Sequence, residues 1–178
     1  MVNLNEYGGE RDATDRTADS DGGGYRMITL RLPYPLSANR YWETRVIRVK
    51  ATGKWMSMTY VSAEAKAYKE EVGWLAKAAG IRKPFEGRVA IDIKLYPQRP
   101  QDWEKRARKN PECWDDDVRC IDLDNARKVL YDAFKGIVIV DDKWVRKDSG
   151  ERMEPDGEAR VIVTITPIVV VAAQAGLL

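Results

Sequence analysis

The sequence predicts an α+β fold: a single compact domain with a mixed β-sheet and two main helices. Two observations carry the prediction. Segments in which apolar residues alternate with polar ones are interleaved with segments in which they recur in steps of three and four. The chain has 178 residues, enough for one real hydrophobic core and hardly for two.

Taken in order, residues 1–24 hold Arg11 and Arg16 against six acids, Glu6, Glu10, Asp12, Asp15, Asp19 and Asp21, and close with Gly22-Gly23-Gly24. That tail carries −4 in a chain of +2, which leaves +6 on the remainder. It has little to bury, so residues 1–26 are expected to be a disordered acidic tail. Ile28, Leu30 and Leu32 alternate with Thr29 and Arg31, the pattern of a half-buried strand, with Pro33 and Pro35 ending it. Leu36–Arg45 reads as a loop. Arg45–Lys50 and Lys54–Met58 read as a hairpin around Thr52-Gly53. A helix follows, with Ser62 as N-cap, the stripe Val61, Ala65, Tyr68, Val72, Leu75, Ala79, and Gly80 as its stop.

Val89, Ile91, Ile93 and Leu95 form a second alternating strand. Residues 98–120 break periodicity and are expected to be a mobile insertion with a basic stretch, Lys105–Lys109, and an acidic one, Asp115–Asp117. Its Trp103 and Trp114 are not easily read as core. Leu123, Ala126, Val129, Leu130, Ala133 and Phe134 then share one helical face, and Gly136 ends that helix. Ile137–Val140 reads as a buried strand. Trp144–Lys147 and Arg160–Thr166 read as two more, connected through Pro155-Asp156-Gly157. Residues 168–178 are an apolar tail, shorter than the ~20 residues that cross a bilayer.

Composition removes several function classes. The chain has no histidine, so Ser-His-Asp and Cys-His triads and zincin-type sites are excluded. Cys113 and Cys120 make a poor zinc site, and no secretory leader is evident, so reduced thiols in a cytoplasmic protein are expected. Neither a membrane partner nor a nucleotide cofactor is called for.

What remains is carboxylate chemistry. Asp122 and Asp124 lie two apart and leave an extended segment on the same side. Lys128 sits one helical turn beyond Asp124, and Asp141-Asp142 follow the next apolar run. Gathering these acids is costly unless a cation neutralises them. Mg²⁺, with Mn²⁺ as the alternative, suits such an oxygen-only site and is completed by substrate phosphate. Lys128 would then contact the scissile phosphate. Taken singly, each element is ordinarily structural, since Asp before a helix is an N-cap and Asp-Asp is a turn.

The same residues resemble the RusA family of Holliday junction resolvases, small nucleases of bacteria and their phages. The resemblance rests on Asp122-Leu123-Asp124-Asn125 with Lys128 and Asp132, and on Asp141-Asp142-Lys143-Trp144-Val145. It extends to Leu32-Pro33-Tyr34-Pro35-Leu36-Ser37-Ala38-Asn39 and to Val61–Tyr68, and spans about residues 27–167. It implies an intertwined homodimer that cuts four-way DNA junctions with paired symmetric nicks, dependent on Mg²⁺. Carried over by position, Asp122, Asp124 and Asp142 are the catalytic, metal-holding carboxylates, with Asp141 as the alternative to Asp142, and Lys128 is the essential lysine. Two departures are visible. Compact members lack an insertion like 98–120, and only Arg119 stands where arginines often precede the first Asp.

DNA contacts are expected from Arg40, Arg45, Arg48, Lys50 and Lys54, interleaved with Tyr41, Trp42 and Trp55. Lys66, Lys69, Arg119, Lys143 and Arg146 complete the basic set, and Trp103 and Trp114 of the insertion are expected to cap DNA or dock on the partner subunit. Two other readings stay open: a non-catalytic branched-DNA-binding protein, and a related nuclease that prefers forks or flaps.

Overall fold

The computed structural model describes residues 26–169. The expectations for the acidic tail before residue 26 and the apolar segment after residue 169 fall outside the described residues. A four-stranded sheet forms the centre. Its strands are β1 (Ile28–Pro33), β4 (Val89–Tyr96), β5 (Val145–Arg152) and β6 (Arg160–Pro167), in the order β1-β6-β4-β5. Three of them alternate inward and outward as their sequences require, and the inward set is mutually in register. Ile91 faces Ile165, Ile93 faces Val163 and Leu95 faces Val161, while Leu30 and Leu32 extend the layer across β1. The outward face is polar, with Thr29 hydrogen-bonded to Thr164 at 3.1 Å and Ser149 donating to Asp92 at 2.6 Å.

Two helices cover the inward face: α2 (Ala63–Ala78) and α4 (Leu123–Phe134). The predicted cap of α2 is present, since the buried Ser62 hydroxyl accepts from Ala65 N–H at 3.1 Å. Its fully buried residues are Ala65, Tyr68, Val72, Gly73 and Ala76, with the predicted Leu75 partly buried against the core and only Ala79, at the helix end, exposed. Ser62→Ala is expected to cost about 1 kcal/mol, read as a lower urea midpoint at unchanged slope. On α4 the predicted face is the buried one: Ala126, Val129, Leu130, Ala133 and Phe134.

Four sequence expectations need correction. The loop at Leu36–Arg45 contains a single helical turn, α1 (Ala38–Tyr41), and then the start of β2 (Trp42–Arg48), which pairs with β3 (Trp55–Val61) as the predicted hairpin. Ile137–Val140 is no strand. Gly136 (φ 75°) turns the chain, and the amides of Val138 and Ile139 bond back to Phe134 C=O. Val138 and Ile139 are buried under the helix end, and Ile139 pairs only through isolated bridges to Phe85 and Lys135, so the run is a packed turn with single bridges and not a strand. Residues 98–120 include a short helix, α3 (Trp103–Lys109).

That insertion is also tied down. Buried Trp114 packs on Trp103 (centroids 6.1 Å apart) and donates its indole N–H to Glu154 at 2.8 Å, while Arg152 bonds the carbonyls of Asp115 and Val118. Buried Trp114 and half-buried Trp103 thus form a small satellite cluster. Finally, the strand expected at Trp144–Lys147 starts at Val145 and runs on to Arg152 as β5. β5 lies parallel to β4 at the sheet edge, and the Pro155–Gly157 connection carries the chain past β4 to β6.

Candidate active site

α4 organises the acidic residues by separating them into two groups. At its N-terminus, Asp122 holds the N-cap position, but its carboxylate makes no capping bond. It accepts instead from the Asn125 side-chain amide at 3.3 Å. Asp124 is exposed and ion-paired with Lys128 at 2.7 Å, and that lysine's hydrogen bond holds its carboxyl below the ordinary range. Asp122, Asp124 and Lys128 thus share one open corner, as their spacing requires.

Asp141 and Asp142 lie at the other end. Lys135, the residue that closes α4, reaches Asp141 at 2.8 Å and Asp142 at 3.9 Å. Twelve helical residues separate the groups by about 18 Å along the axis. β5 confirms the direction: Asp148 contacts Tyr131 and Arg127, while Gly150 lies against Arg127 and Leu123. β5 thus runs back along α4 from the Asp142 end toward the Asp122 end. Among the described residues, no three His, Cys, Asp or Glu side chains form a group able to hold a metal ion. The donor chemistry, carboxylate oxygen only, fits a hard divalent cation; one chain gathers it as two half-sets.

The two C-terminal acids differ. Asp141 caps a 3₁₀ turn (Asp142–Trp144) by accepting from Lys143 N–H at 3.1 Å, and its side chain is 27% exposed against 56% for Asp142. The Lys135 hydrogen bond, followed by the Lys143 amide, holds the Asp141 carboxyl down at about 2. Lys135→Met is expected to return Asp141 toward the ordinary carboxylate range. A carboxyl-carbon NMR titration reads that rise directly, and an unmoved Asp141 would refute the assignment of cause. Asp132, on the last turn of α4, is pushed up by desolvation and then by Asp142, with Lys69 and Lys135 opposing. It belongs to this group and is not paired with Lys128.

The basic residues predicted to meet DNA are exposed, apart from half-buried Lys69. Arg40 is ion-paired with Glu64 at 2.7 Å. Arg45, Arg48, Lys50 and Lys54 project from the hairpin, and Lys66 is exposed on α2. Lys69 faces Asp132. Lys143 lies over the Trp144 ring at 5.8 Å. Exposed Arg146 borders a hollow of about 290 Å³ that Asp142 and Tyr131 also line. Arg119 is exposed, three residues before Asp122 in sequence.

Sequence reading missed Lys135 and the Arg127–Asp148–Tyr131 cluster, in which Asp148 Oδ2 meets Arg127 Nε at 2.5 Å and the Tyr131 hydroxyl at 2.9 Å. The spacing of Arg127 and Tyr131 puts them on one face, but their partner appears only once β5 is laid beside α4. Tyr34 is a further support: its hydroxyl accepts from Ile121 N–H at 3.1 Å and donates to Cys120 Sγ at 3.3 Å, fixing the backbone that leads into Asp122. Burial and the Cys120 bond push its phenol up to about 12.

A small α+β domain with exposed carboxylates at both ends of one helix and cations around them has the makings of a DNA-cutting enzyme. The family model described as endodeoxyribonuclease RusA matches residues 33–166, and the chain belongs to that family. No individual curated protein matches it. Among the described residues, no helix is long and apolar enough to cross a membrane.

Proposed function

We propose that this endodeoxyribonuclease resolves four-way DNA junctions, as a homodimer and with a divalent cation, Mg²⁺ or Mn²⁺. One observation carries the reading: in a RusA-family chain, the exposed acids stand in two half-sets at opposite ends of α4. Two chains related by a two-fold axis can set the Asp122–Asp124 end of one helix against the Asp142 end of the other. They would then offer two equivalent sites to a two-fold substrate.

Asp122, Asp124 and Asp142 would hold the cation; Asp142 is preferred because Asp141 is engaged in capping and by Lys135. The bound ion supplies charge neutralisation and a more acidic water. Lys128 can turn from Asp124 to a scissile phosphate oxygen, where its charge matters most as negative charge develops. Arg127, held by Asp148, keeps the first turns of α4 fixed against β5.

The test is a synthetic four-way junction labelled on each strand in turn, beside a fork and a linear duplex, with and without Mg²⁺. Symmetric paired nicks that need the metal support the reading. Binding without nicks by a folded dimer would move the protein to a non-catalytic branched-DNA binder, and preferential cutting of the fork would redefine the substrate. Mixing inactive Asp122→Asn and Asp142→Asn chains examines the shared site. Shared sites give one intact site per mixed dimer and restored nicking; sites within one chain give none.

A further inference from the structure

The β2–β3 hairpin is the least covered part of the described chain. The body grips it at its root, where Tyr41 is buried and Ser62 N–H donates to Tyr41 C=O at 2.9 Å. Beyond the root, both faces meet solvent. Trp55 is 71% exposed, and Trp42, Val46, Met56, Met58 and Tyr60 are exposed with it. Two strands alone are marginal in water, and this much open apolar surface calls for an occupant.

Charge chooses among occupants. Between Trp42 and Val61 stand four cations, Arg45, Arg48, Lys50 and Lys54, and one acid, Glu43. Glu43 is engaged by the Tyr60 hydroxyl at 2.8 Å. Among the described residues none of the four cations has an ion-pair partner. The hairpin of a second copy laid on this one would set four cations against four. A polyanion with flat apolar faces complements it, and nucleic acid has both properties.

The tip is built for that combination. Gly53 (φ 66°) closes the turn, and the Arg48 guanidinium, through Nε, donates to Gly53 C=O at 3.1 Å. Arg48 is thereby held directly across the ladder from Trp55, on the same face. An open hollow of about 410 Å³ lies beside it, lined by Arg48, Val49, Lys50 and Gly53. An aromatic plate next to a pre-set guanidinium and a basic hollow is the arrangement that stacks a base and holds its phosphate.

We propose that the hairpin is a second DNA-contacting element, in which Trp55 stacks on an unpaired base at the branch point while Arg48, Lys50 and Lys54 hold the flanking phosphates. The proposal rests on the branched-DNA reading above. It adds a binding site distinct from the carboxylates, and α1 at its root packs against α4.

The test places 2-aminopurine at the centre of a four-way junction, with a chelator present so that nothing is cut. Wild-type protein is expected to quench the probe. Trp55→Ala should leave it bright at saturation and bind on the order of tenfold more weakly, and Trp55→Phe should recover part of both. The pair Lys50→Glu and Lys54→Glu should lower the slope of log affinity against log salt by about two. Equal quenching by wild type and Trp55→Ala would overturn the stacking role, as would the same Trp55-dependent signal on a linear duplex. An unchanged salt slope would overturn the phosphate role. If the wild type binds no junction, the substrate reading itself fails, a result separable from tight binding without a Trp55 effect.

Discussion

Asp122→Asn or Asp124→Asn is expected to slow strand cleavage by a factor on the order of 10² to 10³, the range for losing one preorganised group where charge develops. Junction binding should stay intact or become tighter. Each substitution removes a negative charge from a surface that must approach phosphate, while the amide keeps the shape of the side chain. The fold has little at stake, because the Asp122 carboxylate makes no capping bond and Asp124 is exposed, with only Lys128 as a partner. Parallel measurement of cutting rate and junction affinity decides the matter. If affinity falls in step with cutting, these acids are part of the binding surface or the fold, and the catalytic role is wrong. The same pair of assays on Lys128→Met should show reduced cutting with weaker binding, since a cation is lost.

The second large effect is on stability. Phe134 is fully buried at the end of α4, and the amides of Val138 and Ile139 bond to its carbonyl. Phe134→Ala is expected to cost about 3–5 kcal/mol, a large fraction of the 5–15 kcal/mol that holds a typical domain together. The loss would not be confined to a cavity. The turn beneath Phe134 leads directly to Lys135 and on to Asp141 and Asp142, so the C-terminal half-set should loosen before the N-terminal one. Chemical denaturation reads the first effect. Amide exchange at Val138 and Ile139, compared with Ala126, reads the second. Uniform exchange along α4 would contradict the local account.

Much of this was legible in the sequence, for a physical reason that differs by element. β4 and α4 each bury one face and wet the other, so their periodicities stand out, and Ser62 announces α2 because few residues satisfy an orphan amide so well. Ile137–Val140 misled because burial alone produces an apolar run, and four residues are too few for a period to separate a strand from a packed turn. α1 and α3 are short, and α3 packs through Trp103 on Trp114, whose anchor Glu154 lies far from both in sequence. At the site, the Asp124–Lys128 contact was legible, since a helix fixes neighbours one turn apart. The sequence had no means of placing Asp142, whose position depends on which way β5 runs beside α4. The parallel β4–β5 pairing is set by long-range topology and leaves no mark on local spacing.

The strand order also constrains how the protein is made. β6 stands between β1 and β4, with Leu32 paired to Val161 and Leu95 to the same residue on its other side. During synthesis the first strand therefore leaves the ribosome with no partner, and its neighbour is translated more than a hundred residues later, roughly ten seconds on at ordinary elongation rates. Until then β1 and β4 both present an unfilled edge, and α2 and α4 have only half a sheet to rest on. The nascent chain passes through an interval in which its most apolar strands are open to other chains. Late closure of the sheet by β6 is then the step that turns a sticky intermediate into a folded nuclease.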